Sequence, residues 1–190
     1  DMQKVRLFIG LTFDQGSHLC RKIDGYRQRF DSTYYQNSTP HMSLFAPFII
    51  NVQDLKEFAF ELEDELENFF YGHTSAKFLE FTGMNVLEQK KKSLLYLKPN
   101  LDDDFSYLQE SLHELSQKYV GRENKTKVGK SFLVMGRFND HFSLLSGLET
   151  VKREFDTPFQ LGLRSISIFS KQSGEWRKSL KLIDFEKENE

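Results

Sequence analysis

Two stretches of the chain repeat apolar residues every three or four positions. The first carries Leu55, Phe58, Ala59, Leu62, Leu66, Phe69 and Phe70, and the second Phe105, Leu108, Leu112, Leu115 and Tyr119. This spacing puts the apolar side chains on one stripe of a helix, and that stripe needs a surface to cover it. The remaining sequence supplies strands for the purpose. Val5 to Phe13 is rich in β-branched and aromatic residues, and Asp14-Gln15-Gly16-Ser17 gives turn and capping chemistry ahead of a helix over Leu19 to Phe30. Tyr34 to Pro40 reads as a polar loop. Pro40 holds Thr39 extended, and His41 to Phe48 alternates as one strand. The first apolar stripe predicts a helix over Val52 to Phe70. Ala76 to Leu87 and Ser93 to Leu97 read as strands joined by the polar run Glu88 to Lys92. Asp102, Asp103 and Asp104 sit favourably at the positive end of the second helix.

A basic loop, Arg122 to Lys130, then leads to a strand over Ser131 to Phe138, and Asn139-Asp140 caps a helix from about His141 to Phe155. Leu161 to Ser170 and Trp176 to Phe185 form a closing hairpin around Gln172-Ser173-Gly174-Glu175, with a frayed tail from Glu186 to Glu190. The order βα-β-α-ββ-α-β-α-ββ is an α+β plan, with two halves of similar content as pseudo-repeats. At 190 residues, positions 1–190 are expected to form a single domain.

A formal charge of −2 argues against coating nucleic acid or membranes through bulk positive potential, so an anionic ligand needs a local basic pocket. One cysteine, Cys20, excludes an internal disulfide framework, a thiolate zinc site and a CxxC pair, and suits the cytoplasm. No run approaches the roughly 18 apolar residues of a membrane span. Gly-rich phosphate loops, Walker motifs and GxSxG are absent from the sequence. The acidic face around Glu61, Glu63, Asp64, Glu65 and Glu67 has no interleaved histidine, so it reads as solvated and neither metal nor cofactor is expected.

Five histidines carry the acid-base chemistry near neutrality, and three of them open a His-x-Ser string: His41, His73 and His141. His73 follows Tyr71-Gly72 in a connecting loop. His141 begins a helix, where residues two apart diverge by about 200°. His41 opens a strand, on which His41 and Ser43 share a face about 6–7 Å apart. There a hydroxyl and an imidazole address one ligand, such as a phosphate; a protonated ring donates hydrogen bonds, and a neutral ring accepts a proton from attacking water.

Tyr26-Arg27-Gln28-Arg29-Phe30-Asp31, followed by Pro40-His41-Met42-Ser43-Leu44, resembles the 2H phosphoesterase superfamily, in particular its bacterial 2′-5′ RNA ligase-like branch. The closing Leu163 to Trp176 resembles that family's last hairpin. The resemblance runs along the whole chain and implies a bilobal α+β fold, with antiparallel sheet halves, helices outside and a central cleft. It also implies metal-independent action on RNA ends or nucleotides bearing 2′,3′-cyclic phosphates or 2′-5′ linkages. The chain is expected to be a monomer. His41 and Ser43 are carried over as catalytic residues and Arg137 as substrate-binding. Among the loop lysines Lys125, Lys127 and Lys130, Lys130 is the candidate to hold phosphate as a point charge.

The family's second string, Pro-His-x-Thr followed by an apolar residue and Gly-Arg, aligns with Ser131-Phe132-Leu133-Val134-Met135-Gly136-Arg137. Gly136 and Arg137 fit, but Phe132 replaces the histidine and Val134 the threonine. His141 and Ser143 are the candidates for a displaced second motif. Two function classes stay open. One is a cyclic phosphodiesterase or 2′-5′ RNA phosphoesterase/ligase; the other is a catalytically inactive nucleotide-, RNA- or protein-binding module on the same fold.

Overall fold

The computed structural model describes residues 3–31, 39–72, 77–129, 131–155 and 158–185. His73, Lys130, the tail from Glu186 and most of the loop between α1 and β2 lie outside them. The chain runs β1 (Lys4–Phe13), α1 (His18–Phe30), β2 (His41–Ser43), β3 (Phe48–Asn51), α2 (Leu55–Gly72), β4 (Phe78–Glu88) and β5 (Ser93–Pro99). It continues with α3 (Asp103–Gln117), β6 (Leu133–Phe138), α4 (His141–Phe155), β7 (Phe159–Gln172) and β8 (Glu175–Asp184).

Local chemistry sets most boundaries. Ser17 caps α1 by accepting from the Cys20 N–H, Asp102 caps α3 by accepting from Phe105, and Asp140 caps α4 by accepting from Ser143. The β7–β8 turn uses Ser173 and Gly174, both at positive φ (52° and 80°), the backbone a two-residue hairpin connection requires. The expected helix from Val52 begins instead with a 3₁₀ turn over Val52–Asp54 and becomes α-helical at Leu55.

The single strand expected over His41 to Phe48 is two strands. Pro47 has no N–H to give a ladder, and the Leu44 carbonyl is taken by side chains from elsewhere: Gln109 Nε2 donates to it, and so does Ser131 Oγ, the latter at 3.0 Å. Phe45 turns into the core, meeting His113 edge-on at 5.1 Å between ring centroids.

All the pairings are antiparallel. β7 organises them: Phe159–Gly162 pair with β4, and the strand then pairs with β1 and β8. β2 and β3 lie on β1, while β5 and β6 extend from β4. The order β2-β1-β7-β4-β5-β6 therefore ends in β2 and β6, and these two ends approach each other. α1 lies against β6, α2 against β8 and α3, and α4 against β5 and β6. Leu7, Ile9, Leu11 and Phe13 of β1 point into the core with Met42, Phe58, Leu62 and Leu66. This is the expected α+β architecture of antiparallel sheet with helices packed outside. No described helix is long and apolar enough to cross a membrane.

Phe138 joins β6 to α4 by pressing on two glycines. A Cβ at Gly136 would stand 2.8 Å from Phe30 Cβ and 2.9 Å from the Phe138 ring. Gly25, within α1, has open space around it. Chemical denaturation is expected to find Gly136→Ala destabilised by about 1–3 kcal/mol through overpacking. Gly25→Ala is expected to be stabilised by about 0.5–1 kcal/mol through helix propensity. Equal effects at the two positions would contradict this packing.

Candidate functional site

Pairing with β1 fixes the orientation of β2. His41 sits opposite Thr12 and Ser43 opposite Gly10, while Met42 between them is buried in the core. His41 and Ser43 therefore share the opposite face, where they line a cleft of about 300 Å³. The cleft brings together most of the residues singled out from sequence. Arg137 lines it, as do Phe132 and Val134 from the β6 side. The segment aligned with a second motif thus faces the first, and it contributes the apolar Phe132 and Val134 together with the charged Arg137. The Phe132 ring rests on Tyr96 of β5, with ring centroids 3.9 Å apart.

His41 Nδ1 lies 2.8 Å from the Thr39 carbonyl oxygen, which only accepts, so Nδ1 carries the proton and Nε2 keeps its lone pair. The ring stacks against Phe8 at 5.4 Å and Phe169 at 5.7 Å. Burial lowers its pKa to about 4. The nearby charges of Arg27 and Arg137 add to the lowering, while the Thr39 hydrogen bond opposes it. At neutral pH His41 is an uncharged hydrogen-bond acceptor. Of the two protonation states considered from sequence, the structure supports the neutral one.

Positive charge comes instead from arginines. Arg27, which sequence reasoning did not assign to the site, is only 2% exposed and lines the cleft; its guanidinium donates to Asp24 at 2.9 Å. Burial lowers its pKa, and the neighbouring aspartates oppose that shift. Arg137 donates to Asp31, which is itself buried. Burial raises the Asp31 pKa against the pull of Arg137, Arg27 and Lys92. The sequence did hold a signal for Arg27, because Cys20, Ile23 and Arg27 occupy one buried stripe of α1 at helical spacing. An arginine on such a stripe is either compensated by carboxylates or faces a polar cavity, and Arg27 does both. Lys171, Gly174, Glu175 and Trp176 form the mouth of the cleft at the β7–β8 turn.

His141 and Ser143 do not complete the site. His141 is 69% exposed at the start of α4 with Nδ1 3.6 Å from Glu88, and Ser143 bonds to Asp140 as part of the helix cap. Neither lines the cleft. A displaced second motif is thereby excluded, since a helix start cannot present both groups as a strand does. Lys125 and Lys127 are exposed and also stay out of the cleft, and Lys130 lies outside the described residues.

The depressed pKa of His41 makes stability depend on pH. The unfolded chain takes up this proton near pH 6.5, whereas the folded protein resists it until about pH 4. Stability linked to His41 is complete above pH 6.5 and falls between about pH 6.5 and 4, with a slope of at most about 1.4 kcal/mol per pH unit. NMR titration should show His41 neutral at pH 5.5, and His41→Asn should flatten the stability profile in that window. A His41 midpoint near 6.5 would contradict the burial argument.

Two solved structures resemble the chain with TM-scores of 0.47. Usb1 of Kluyveromyces marxianus has 11% identity, covering 92% of this chain and 97% of that one. A crystal structure described as a phosphoesterase has 9% identity, covering 94% and 95%. A conserved protein of unknown function from Agrobacterium tumefaciens has 12% identity and a TM-score of 0.43, covering 95% and 86%. No curated protein matches the sequence. The model of the 2′-5′ RNA ligase superfamily matches residues 16–157, which include α1, β2, β6 and all four of His41, Ser43, Phe132 and Arg137. The chain belongs to the 2′-5′ RNA ligase superfamily.

Proposed function

We propose that the cleft binds the terminal phosphate of a nucleotide or RNA end, of the 2′,3′-cyclic or 2′-5′-linked class that the resemblance implies, and holds it without efficient turnover. Arg27 and Arg137 supply charge to the phosphate oxygens, Ser43 donates a hydrogen bond to them, and His41 accepts one through Nε2 from a hydroxyl of the ligand or from water. The observation that carries this reading is the position of Phe132 and Val134. They line the same cleft as His41 and Ser43, so the side from which a second acid-base group would act is hydrocarbon.

Phosphodiester cleavage needs a base for the attacking oxygen and an acid for the leaving one. His41 can fill only the first role, because a ring with a pKa of about 4 is not a proton donor at neutral pH. Loss of one such group costs about 10²–10⁴ in rate. A second reading, slow one-histidine hydrolysis, is favoured by one observation: the Nε2 lone pair of the neutral ring remains available as a base.

Thermal-shift and turnover assays with a nucleoside 2′,3′-cyclic monophosphate and a 3′-monophosphate test both readings. Wild type is expected to be stabilised by either ligand with negligible hydrolysis. Ser43→Asp, which places a carboxylate against the phosphate, is expected to abolish the stabilisation. Phe132→His with Val134→Thr is expected to raise hydrolysis of the cyclic ligand by about 10² or more. Rapid wild-type turnover that His41→Ala removes would overturn the binding reading in favour of the enzyme. Absence of any ligand effect would overturn both.

A further inference from the structure

A second cavity, of about 440 Å³, shares no lining residue with the cleft. Its place follows from how α2 and α3 are joined. Glu61 accepts from Lys118 at 3.2 Å and from the Tyr119 hydroxyl at 2.9 Å, which sets the end of α3 on the first half of α2. The helices therefore run antiparallel, and the start of α3 lies by the end of α2. The Asn100 N–H donates to the Glu80 carbonyl at 2.8 Å and brings β4 alongside. The cavity opens at this junction. Phe69 of α2, Phe78 of β4 and Phe105 of α3 line it, together with the carboxylates of Glu80, Asp102 and Asp104. Phe78 pairs across the sheet with Gly162, so no side chain stands at its pair position and the ring is 63% exposed.

Among the described residues that line this cavity there is no lysine or arginine. The start of α3 carries a partial positive charge of about half a unit, which does not offset three carboxylates. The cavity is anionic and aromatic, and the same character continues outward from it. At three-and-four spacing α2 exposes Phe60, Asp64 and Glu67, and α3 exposes Tyr107, Glu110 and Glu114. The cations at these helices, Lys56 and Lys118, lie at the opposite end, where Glu61 engages the second. Rings interleaved with carboxylates suit a guanidinium, which is flat enough to stack on a ring while its N–H groups meet carboxylate oxygens. A divalent cation would use the carboxylates alone, and among the described residues no three metal-ligating side chains converge. We propose that this face is a docking surface for a basic segment of a partner protein. One arginine enters the cavity against Phe78 and Glu80, and the cations that follow it lie over Asp64, Glu67, Glu110 and Glu114. The docking is independent of the phosphate reading of the cleft.

Fluorescence anisotropy of the full chain with a labelled arginine-serine repeat peptide tests the docking surface, beside the same peptide with lysine in place of arginine. The arginine peptide is expected to bind about tenfold tighter than the lysine peptide, because only a guanidinium both stacks and forks. Phe78→Ser and Glu80→Gln are each expected to weaken the arginine peptide by about tenfold with unchanged unfolding midpoints, since both side chains reach solvent. Glu149→Gln, on the exposed side of α4, is expected to leave binding intact. Equal affinity for the two peptides, or binding that ignores Phe78→Ser, would reduce the face to a solvated acidic surface and overturn the docking. Spermine that binds as tightly as the arginine peptide and displaces it would assign the cavity to a small polyamine instead. Sedimentation that shows a dimer dissolved by Glu80→Gln would assign it to a second copy of this chain. Either result would overturn the partner protein as occupant.

Discussion

The cleft exists because one strand belongs to two sheet segments. β7 pairs through Phe159–Gly162 with β4 and then with β1 and β8, so the segment that ends in β2 and the segment that ends in β6 are fixed relative to each other by a continuous backbone. A buried hydrogen-bond junction then closes the seam. Gln109 Nε2 donates to Ser131 Oγ at 2.6 Å, and both side chains donate to the Leu44 carbonyl, which has left the β-ladder. Leaving such a buried carbonyl unpaired costs about 1–3 kcal/mol, so the junction constrains where the β2 and β6 sides stand. None of these groups is in the chemical site. The geometry of the cleft therefore rests on residues other than those that line it.

That independence explains how Phe132 and Val134 are accommodated. An aromatic side chain on Tyr96 adds apolar contact where a histidine would have required a hydrogen-bond partner, so the substitutions remove chemistry without a conflict in packing. The charges beneath tell a different story. Arg27 with Asp24 and Arg137 with Asp31 place two guanidinium groups at the cleft, each already compensated by a carboxylate. Burying such groups is expensive unless they are paired, and the pairing fixes where they stand. The same two cations help keep His41 neutral, so the charge on the arginines and the basicity of the imidazole are coupled features of one site.

Much of this was legible in the chain. Ser17, Asp102 and Asp140 announced helix starts, the Ser173-Gly174 turn announced the final hairpin, and period two on a strand placed His41 and Ser43 on one face. The unread parts share a cause: they depend on residues distant in sequence. Leu44 leaves its strand because Gln109 and Ser131 arrive from 65 and 87 residues away, which no local alternation reveals. Arg27 enters the sequence reading only within the string that carries the family resemblance, and the burial of its stripe shows it as a cleft residue. The basic loop, by contrast, suggested Lys125 and Lys127 by composition alone, and composition cannot say that a loop points away from a site.

The location of the cations also bears on which function the family scaffold retains here. A hydrolytic site needs proton donors and acceptors on both sides of phosphorus, whereas a binding site needs only charge and shape. Along β2 the chain keeps an acceptor and a hydroxyl; on the β6 side it keeps Arg137 but has hydrocarbon at the positions of the family's histidine and threonine; and Lys171 and Trp176 line the cleft from the β7–β8 hairpin. The β2 side thus keeps the acceptor and the hydroxyl of the first motif, and the β6 side faces them with one guanidinium and two apolar side chains.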